Sequence, residues 1–122
     1  MTARMFFGRR GAPLSVSASP TNPSGTFTNS PASNEPATRV VSSDNTTATA
    51  AGGAGGYTYS WARISGSADI TAASPTSATT NFSATVPIGT SLTAVFRVTA
   101  TDAASATATA DVTVSLMYES GF

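Results

Sequence analysis

The sequence contains no cysteine, no histidine and no lysine. Without cysteine no disulfide can form, so the fold must be held together by packing alone. A Ser-His-Asp or Cys-His catalytic arrangement is impossible without histidine and cysteine, and a Schiff base is impossible without lysine. The usual ligands of zinc are missing for the same reason. We therefore expect a protein that is not an enzyme and has no cofactor.

Charge is also scarce and balanced, because six arginines face six acidic residues. Binding of nucleic acid needs clustered positive charge, which this chain lacks outside Arg4, Arg9 and Arg10. We therefore expect no nucleic-acid partner. The acidic residues follow no catalytic or EF-hand spacing. Asp44 and Asp102 fall in turn sequences, where a carboxylate typically accepts hydrogen bonds from nearby backbone N–H groups.

Long apolar runs are absent. No stretch approaches the roughly 18 apolar residues of a membrane span. Near the start, the apolar run is only Met5 to Phe7, against roughly 7–15 residues in a signal peptide. We expect a protein that is made soluble in a cytoplasm, or that enters another compartment carried on another component, with no membrane contact.

The last third of the chain carries the clearest pattern. Residues 105–116, SATATADVTVSL, place Ala, Val and Leu on one face and Ser, Thr and Asp on the other. Residues 92–100, LTAVFRVTA, alternate in the same way. A period of two over such a length predicts antiparallel strands that are buried on one face. Asp111 lies on the polar face, where we expect it to be solvated.

Further strand patterns precede these two. In residues 57–64, Tyr57, Tyr59 and Trp61 share one face, which predicts a core role; a carbohydrate-stacking stripe is the alternative. Strands are also predicted at 14–18, 38–51 (with a turn inside), 69–73 and 79–86. The proline-rich residues 19–37 read as a loop or a broken edge strand.

These elements predict an all-β fold, an immunoglobulin-like antiparallel β-sandwich of about seven strands with short N- and C-terminal arms. Its core should contain six large side chains: Trp61, Phe82, Phe96, Val98, Val112 and Val114. The predicted divisions are an N-terminal docking arm at 1–12, the sandwich at 13–116 and a C-terminal tail at 117–122.

The arm and the tail supply the candidate partner-binding residues. In the arm, apolar side chains are bracketed by arginines that can pair with a partner's carboxylates. The arm can dock into a partner or fold back onto the domain's own core. The tail can extend the last strand or be ordered by a neighbour. The candidates are Arg4, Met5, Phe6, Phe7, Arg9, Arg10, Tyr118 and Phe122.

From about Thr46 to Leu116 the chain resembles the Ig-like and PKD-like domains common in bacteriophage virion proteins and bacterial surface proteins. The matching stretches are ATAAGGAGGYTYSWARISG, SPTSATTNFSATV and AVFRVTATDAASATATADVTVSL, in this order. The buried cysteine pair of antibody domains is missing, and so is the tyrosine corner, since Phe96 stands where an aromatic residue is expected on the penultimate strand. The resemblance therefore implies an Ig-like sandwich in the broad sense.

For function, the resemblance implies a structural protein of a phage virion. It would be an accessory or decoration subunit of the capsid or tail, made in the host cytoplasm. It would act by assembly with other virion proteins, in many symmetric copies or as a homo-oligomer. The alternative is a carbohydrate- or receptor-binding adhesion module at a tail tip or bacterial surface. That alternative predicts an exposed aromatic platform for weak contact with host glycans.

Overall fold

The computed structural model describes residues 12–28 and 36–120. Within these residues the chain forms ten strands and no helix, and accordingly no helix that could span a membrane. The strands are β1 (Ser15–Ser19), β2 (Ser24–Thr28), β3 (Thr38–Ser42), β4 (Thr46–Ala51), β5 (Thr58–Gly66), β6 (Thr71–Ala72), β7 (Thr79–Thr80), β8 (Phe82–Pro87), β9 (Thr90–Thr101) and β10 (Thr107–Glu119).

One layer is a four-stranded sheet in the order β2-β10-β9-β5. Its centre is the antiparallel β9–β10 pair, which runs from Thr107 opposite Thr101 to Tyr118 opposite Thr90. On the far side of β9, β5 is antiparallel and contains a bulge between Arg63 and Ser65. On the far side of β10, β2 runs parallel to it. The two longest alternating patterns of the sequence thus form the middle of this sheet.

The second layer consists of two short sheets, β1-β4-β7 and β3-β8-β6. The chain joins them, because only residues 43–45 separate β3 from β4 and only Asn81 separates β7 from β8. Ser43 extends the pairing of β3 with β8, since its backbone N–H donates to the carbonyl oxygen of Phe82 at 2.7 Å. The Ser43 hydroxyl in turn accepts from the N–H of Phe82 at 3.0 Å. The two short sheets therefore form one layer, which is interrupted between β3 and β4 and, beside that point, between β7 and β8.

The core fills the space between the layers. Phe82 lies at its centre, with ring centroids 5.8 Å from Trp61 and 4.6 Å from Phe96. All six predicted core residues are buried. The inward face of every long strand carries the apolar half of its alternating pattern, so burial follows directly from the period of two. The predicted all-β, immunoglobulin-like sandwich is confirmed.

The described residues form ten strands, against about seven predicted, and the boundaries differ most from the prediction at two places. Strand β10 begins at Thr107 rather than at Ser105, because residues 103–106 form the turn around Asp102, and it continues to Glu119. Within the proline-rich stretch 19–37, β2 forms the outer strand of the four-stranded sheet. The edge-strand interpretation of that stretch is therefore the correct one where the structure describes it.

Candidate binding surfaces

One end of the sandwich is organised around Asp102. Its carboxylate accepts hydrogen bonds from the backbone N–H groups of Ala54, Ala104 and Ala106, each at 2.9 Å. These bonds lower the pKa of Asp102, with that from Ala54 contributing most, although burial opposes them. The prediction that Asp102 bonds nearby backbone N–H groups in a turn is confirmed. Its role at this end is structural, because the donors occupy the carboxylate.

The described chain begins at the same end. The carbonyl oxygen of Ala12 accepts from the N–H of Gly53 at 3.0 Å. A surface depression of about 580 Å³ lies here, lined by Ala12, Pro13, Leu14, Gly53, Ala54, Asp102, Ala104 and Ala106. Six candidate contact residues, Arg4, Met5, Phe6, Phe7, Arg9 and Arg10, lie outside the described residues. The structure therefore fixes where the arm departs from the body of the domain.

The opposite end contains Tyr118, which was predicted to lie in a partner-binding tail. Its side chain is 0% exposed, and its hydroxyl donates to the carbonyl oxygen of Pro36 at 2.8 Å. Its ring makes an edge contact with Phe27 at 5.9 Å, and the guanidinium of Arg39 lies 4.0 Å from the centre of the Phe27 ring. Arg39, Phe27 and Tyr118 thus form a small stack that closes this end.

The structure confirms the alternative in which the tail extends the last strand, and Tyr118 is therefore corrected from a partner-binding candidate to a core residue. The alternating pattern of β10 continues for one more inward position after Leu116, and Tyr118 occupies it. A fully buried ring contributes to the core instead of offering contact area to a partner. Phe122, the other tail candidate, lies outside the described residues. Met117, which points outward beside Tyr118, is 38% exposed.

The two chain ends leave the domain far apart. Ala12 lies beside the Asp102 turn, where β10 begins, whereas Ser120 directly follows the far end of β10. A strand of 13 residues spans about 40 Å. The arm and the tail are therefore attached at opposite ends of the domain.

The outer face of the four-stranded layer is covered with hydroxyl groups. We call it the hydroxyl face; it includes Thr26, Thr58, Ser60, Thr93, Thr107, Thr109, Thr113 and Ser115. At its centre the guanidinium of Arg97 donates to the carboxylate of Asp111, with the Nε–Oδ1 distance at 2.8 Å. The Asp111 side chain is 43% exposed, as predicted for a residue on the polar face, but it is ion-paired. The register could have indicated the pair, because Asp111 stands directly opposite Arg97.

The aromatic stripe of β5 faces inward. Trp61 is buried, and its indole N–H donates to the carbonyl oxygen of Ser77 at 2.8 Å. Tyr57 donates to the carbonyl oxygen of Gly52 at 2.7 Å and, like Tyr59, is half-buried. The predicted core role is confirmed for Trp61 and for Tyr59, which packs against the core, whereas Tyr57 is half-buried outside the core cluster. Across residues 12–28 and 36–120, every aromatic side chain is buried or half-buried. The same residues contain no cluster of acidic side chains that could hold a metal ion.

Comparison with known protein families gives a match. A sequence model of the family described as K319L-like, PKD domain, matches residues 34–116, more than half of the chain. The matched stretch starts just before β3 and ends within β10, so it leaves out β1 and β2. Neither the curated proteins nor the solved structures contain a significant match.

Proposed function

The chain belongs to this family of PKD domains, and we propose that it is a non-catalytic structural subunit of a bacteriophage virion. In this proposal it decorates the capsid or tail and is held by contacts with other virion proteins. The proposal extends the family assignment, which concerns the domain alone, to a biological setting. It is supported by the sequence resemblance to phage Ig-like domains and by the chemistry of the surface.

The observation that carries the proposal is the separation of the two chain ends. The arm leaves the body beside Gly53 and Asp102, and the rest of the domain extends about 40 Å away from that point. An arm that binds the particle would therefore leave the body projecting outward. Apolar anchors flanked by arginines are the composition that interface hot spots favour.

The surface of the body fits such a position. The hydroxyl face carries little net charge, since the charges of Arg97 and Asp111 offset one another and Glu119 lies at its margin. Large apolar side chains are exposed only singly within the described residues, at Val40, Ile64 and Met117. Because the chain has zero net charge, free molecules repel one another little and tend to associate. A fixed position in a particle would keep them apart.

The glycan-binding alternative predicted an exposed aromatic platform. The aromatic side chains of the described residues are all buried or half-buried. No feature of the described surface therefore favours that alternative over assembly.

Deletion of residues 2–11 tests the proposal. The deletion keeps Ala12, whose carbonyl oxygen is bonded to Gly53, so the sandwich should fold with an unchanged circular-dichroism spectrum. We expect the shortened protein to be lost from virus particles purified by sedimentation from host lysates, measured with an antibody against the domain. A matched control carries Thr85→Ala, which changes an exposed side chain of the body, and should leave incorporation intact.

Two results would contradict the proposal. If the wild-type protein never sedimented with virus particles, the proposed virion role would be wrong. A deletion variant that is incorporated at the wild-type level would remove the anchoring role of the arm.

A further inference from the structure

Strand β3 is an outer strand with one unpaired side. In the sheet order β3-β8-β6, it pairs with β8 alone among the described strands. The neighbouring β4 is covered on its outer side by β1, but that pairing ends at Ser19 opposite Thr47, where the chain crosses to the other layer. The outer side of β3 is therefore left without a strand, and unpaired backbone groups at a sheet edge readily accept one.

The direction of the backbone groups on β3 follows from the hydrogen bonds at its two ends. The carbonyl oxygen of Ala37 accepts from the N–H that directly follows β8, and the N–H of Ser43 donates to the first residue of β8, at 2.9 and 2.7 Å. Successive residues of a strand point their backbone groups to opposite sides, so the odd-numbered residues face β8. The N–H and C=O groups of Thr38 and Val40 therefore point away from the sheet. We call these four groups the β3 edge.

The β3 edge ends where β2 of the other layer approaches it. Gly25 lies so close to the carbonyl oxygen of Ser42 that a Cβ on this glycine would collide with it. The N–H of Asp44 then donates to the carbonyl oxygen of Ser24 at 3.0 Å. An added strand can therefore pair along Thr38 to Val41, but no further.

Two side chains beside the β3 edge lack partners. Val40 faces outward and is 68% exposed, more than any other exposed large apolar side chain of the described residues. Arg39 shares the inward face of β3 with Val41, and its guanidinium lies 4.0 Å from the centre of the Phe27 ring. Its Nε is buried and has no hydrogen-bond partner. A buried donor without an acceptor costs free energy, so this position favours a ligand that brings an acceptor.

The charge of Arg39 is also unpaired within the described residues. The ion pair that they contain joins Arg97 to Asp111 on the hydroxyl face. The carboxylate of Glu119 accepts from the hydroxyl of Thr28 at 3.0 Å. A carboxylate that reached the Arg39 guanidinium would form a charge-assisted hydrogen bond, which is stronger beside apolar groups than in water.

We propose that the β3 edge binds an extended segment of a partner protein, with a carboxylate opposite Arg39 and an apolar side chain opposite Val40. The segment pairs as an added strand, through the backbone groups of Thr38 and Val40. Residues directly opposite on neighbouring strands share a face, with Cβ atoms about 4.5–5.5 Å apart, so the carboxylate meets the guanidinium. A second copy pairing through its own β3 would bring an arginine and no carboxylate, since this strand reads TRVVS. The surface is separate from the arm, so the inference goes beyond the proposed function.

A random library of nine-residue peptides on beads tests this proposal with the purified full chain. We expect the protein to enrich peptides that combine apolar residues with one aspartate or glutamate. The preferred peptide and a copy in which the acid is replaced by its amide are then titrated. The acidic peptide should bind about tenfold more tightly or better, because the amide cannot form a charge-assisted pair. In NMR spectra, it should shift the signals of the Arg39 Nε–H and of the backbone N–H groups of Thr38 and Val40.

Two variants separate the charge from the edge. Arg39→Gln should remove the preference for the acidic peptide. The matched control is Arg63→Gln, which changes an exposed arginine whose guanidinium donates to the Gly66 carbonyl oxygen at 3.0 Å, and it should keep the preference. Val40→Pro removes an N–H that points away from β8, so it should abolish binding while the arginine is retained. Circular dichroism verifies that each variant is folded, and if Val40→Pro is not, Arg39→Gln and its control decide.

Three results would overturn the inference. They are a library that yields no enriched peptide, peptides that bind Arg39→Gln as tightly as the wild type, and NMR shifts that lie away from β3. The deletion of residues 2–11 should leave peptide binding unchanged, because the arm is not part of the β3 edge. Failure of this inference is therefore distinguishable from failure of the virion role, which is measured by incorporation into particles.

Discussion

The backbone N–H of Ala54 donates a 2.9 Å hydrogen bond to the carboxylate of Asp102, 48 residues further along the chain. Gly53 also approaches this carboxylate closely. The bond ties the glycine-rich link between β4 and β5 to the turn between β9 and β10. Asp102 is only 6% exposed, so its carboxylate depends on these donors in place of water.

The first prediction concerns acid stability. Because the N–H of Ala54, assisted by those of Ala106 and Ala104, lowers the pKa of Asp102, the folded state binds a proton less readily than the unfolded chain. The resulting stabilisation is complete above the unfolded pKa of about 3.9 and is lost as the pH falls through the folded pKa. The Asp102→Asn variant should therefore have a lower free energy of unfolding than the wild type at pH 7. Its free energy of unfolding should also fall less than that of the wild type as the pH is lowered. Urea unfolding at a series of pH values measures both.

Asp111→Asn is the control for that variant. Arg97 lowers the pKa of Asp111 chiefly through its hydrogen bond, but the pair is largely exposed. Its removal should cost less at pH 7, and the cost should shrink further in added salt. Equal losses for the two variants would show that Asp102 does not hold the two loops together.

The second prediction compares two glycines that both have positive φ. A Cβ on Gly66, at φ 86°, would collide with the backbone of Thr93 and Ala94, whereas one on Gly89, at φ 77°, would meet nothing within 4 Å. Gly89→Ala should therefore cost only the conformational strain, about 1–2 kcal/mol. Gly66→Ala adds a backbone displacement and should cost about 2–5 kcal/mol in urea unfolding. Similar losses of unfolding free energy for the two variants would mean that Gly66 of β5 does not lie so close to Thr93 and Ala94 of β9.

The third prediction tests the centre of the core. Phe82 is fully buried between Trp61 and Phe96, so Phe82→Ala should lower the free energy of unfolding by about 3–5 kcal/mol. Thr85 lies on the same strand and faces outward, so Thr85→Ala should change it by no more than about 0.5 kcal/mol. Thermal or urea unfolding measures the difference, and a comparable cost at Thr85 would contradict the assigned faces of β8.

Sequence patterns were sufficient for the parts of the fold governed by local alternation. The inward positions of β9 and β10 follow from a period of two, and the turn at Asp102 follows from its residue types. The pairing of β2 was not predictable in this way, because it depends on contacts with residues 115–119 at the far end of the chain. The proline and serine content of residues 19–37 left a loop and a broken edge strand as alternatives, because the partner of β2 lies about 90 positions away.

The misplacement of Tyr118 has a different cause. The predicted strand ends at Leu116, but the alternation continues by one more step of two residues to Tyr118. An aromatic residue at such an inward position predicts burial. The ion pair of Arg97 with Asp111 was missed because it requires the register of two strands. A one-residue shift would have placed the two charges on opposite faces.

The fourth prediction decides between the core and partner roles of Tyr118. Removing only its hydroxyl, in Tyr118→Phe, breaks the bond to the Pro36 carbonyl and should cost about 1 kcal/mol. Tyr118→Ala also removes a buried ring in contact with Phe27, and should cost about 3–5 kcal/mol in the isolated domain. Tyr57→Phe, at the half-buried opposite end, is the control for loss of a hydroxyl and should cost less than Tyr118→Phe. If Tyr118→Ala left the unfolding free energy of the isolated domain unchanged, the ring would not belong to the core, and the tail interpretation of residues 117–122 would be restored.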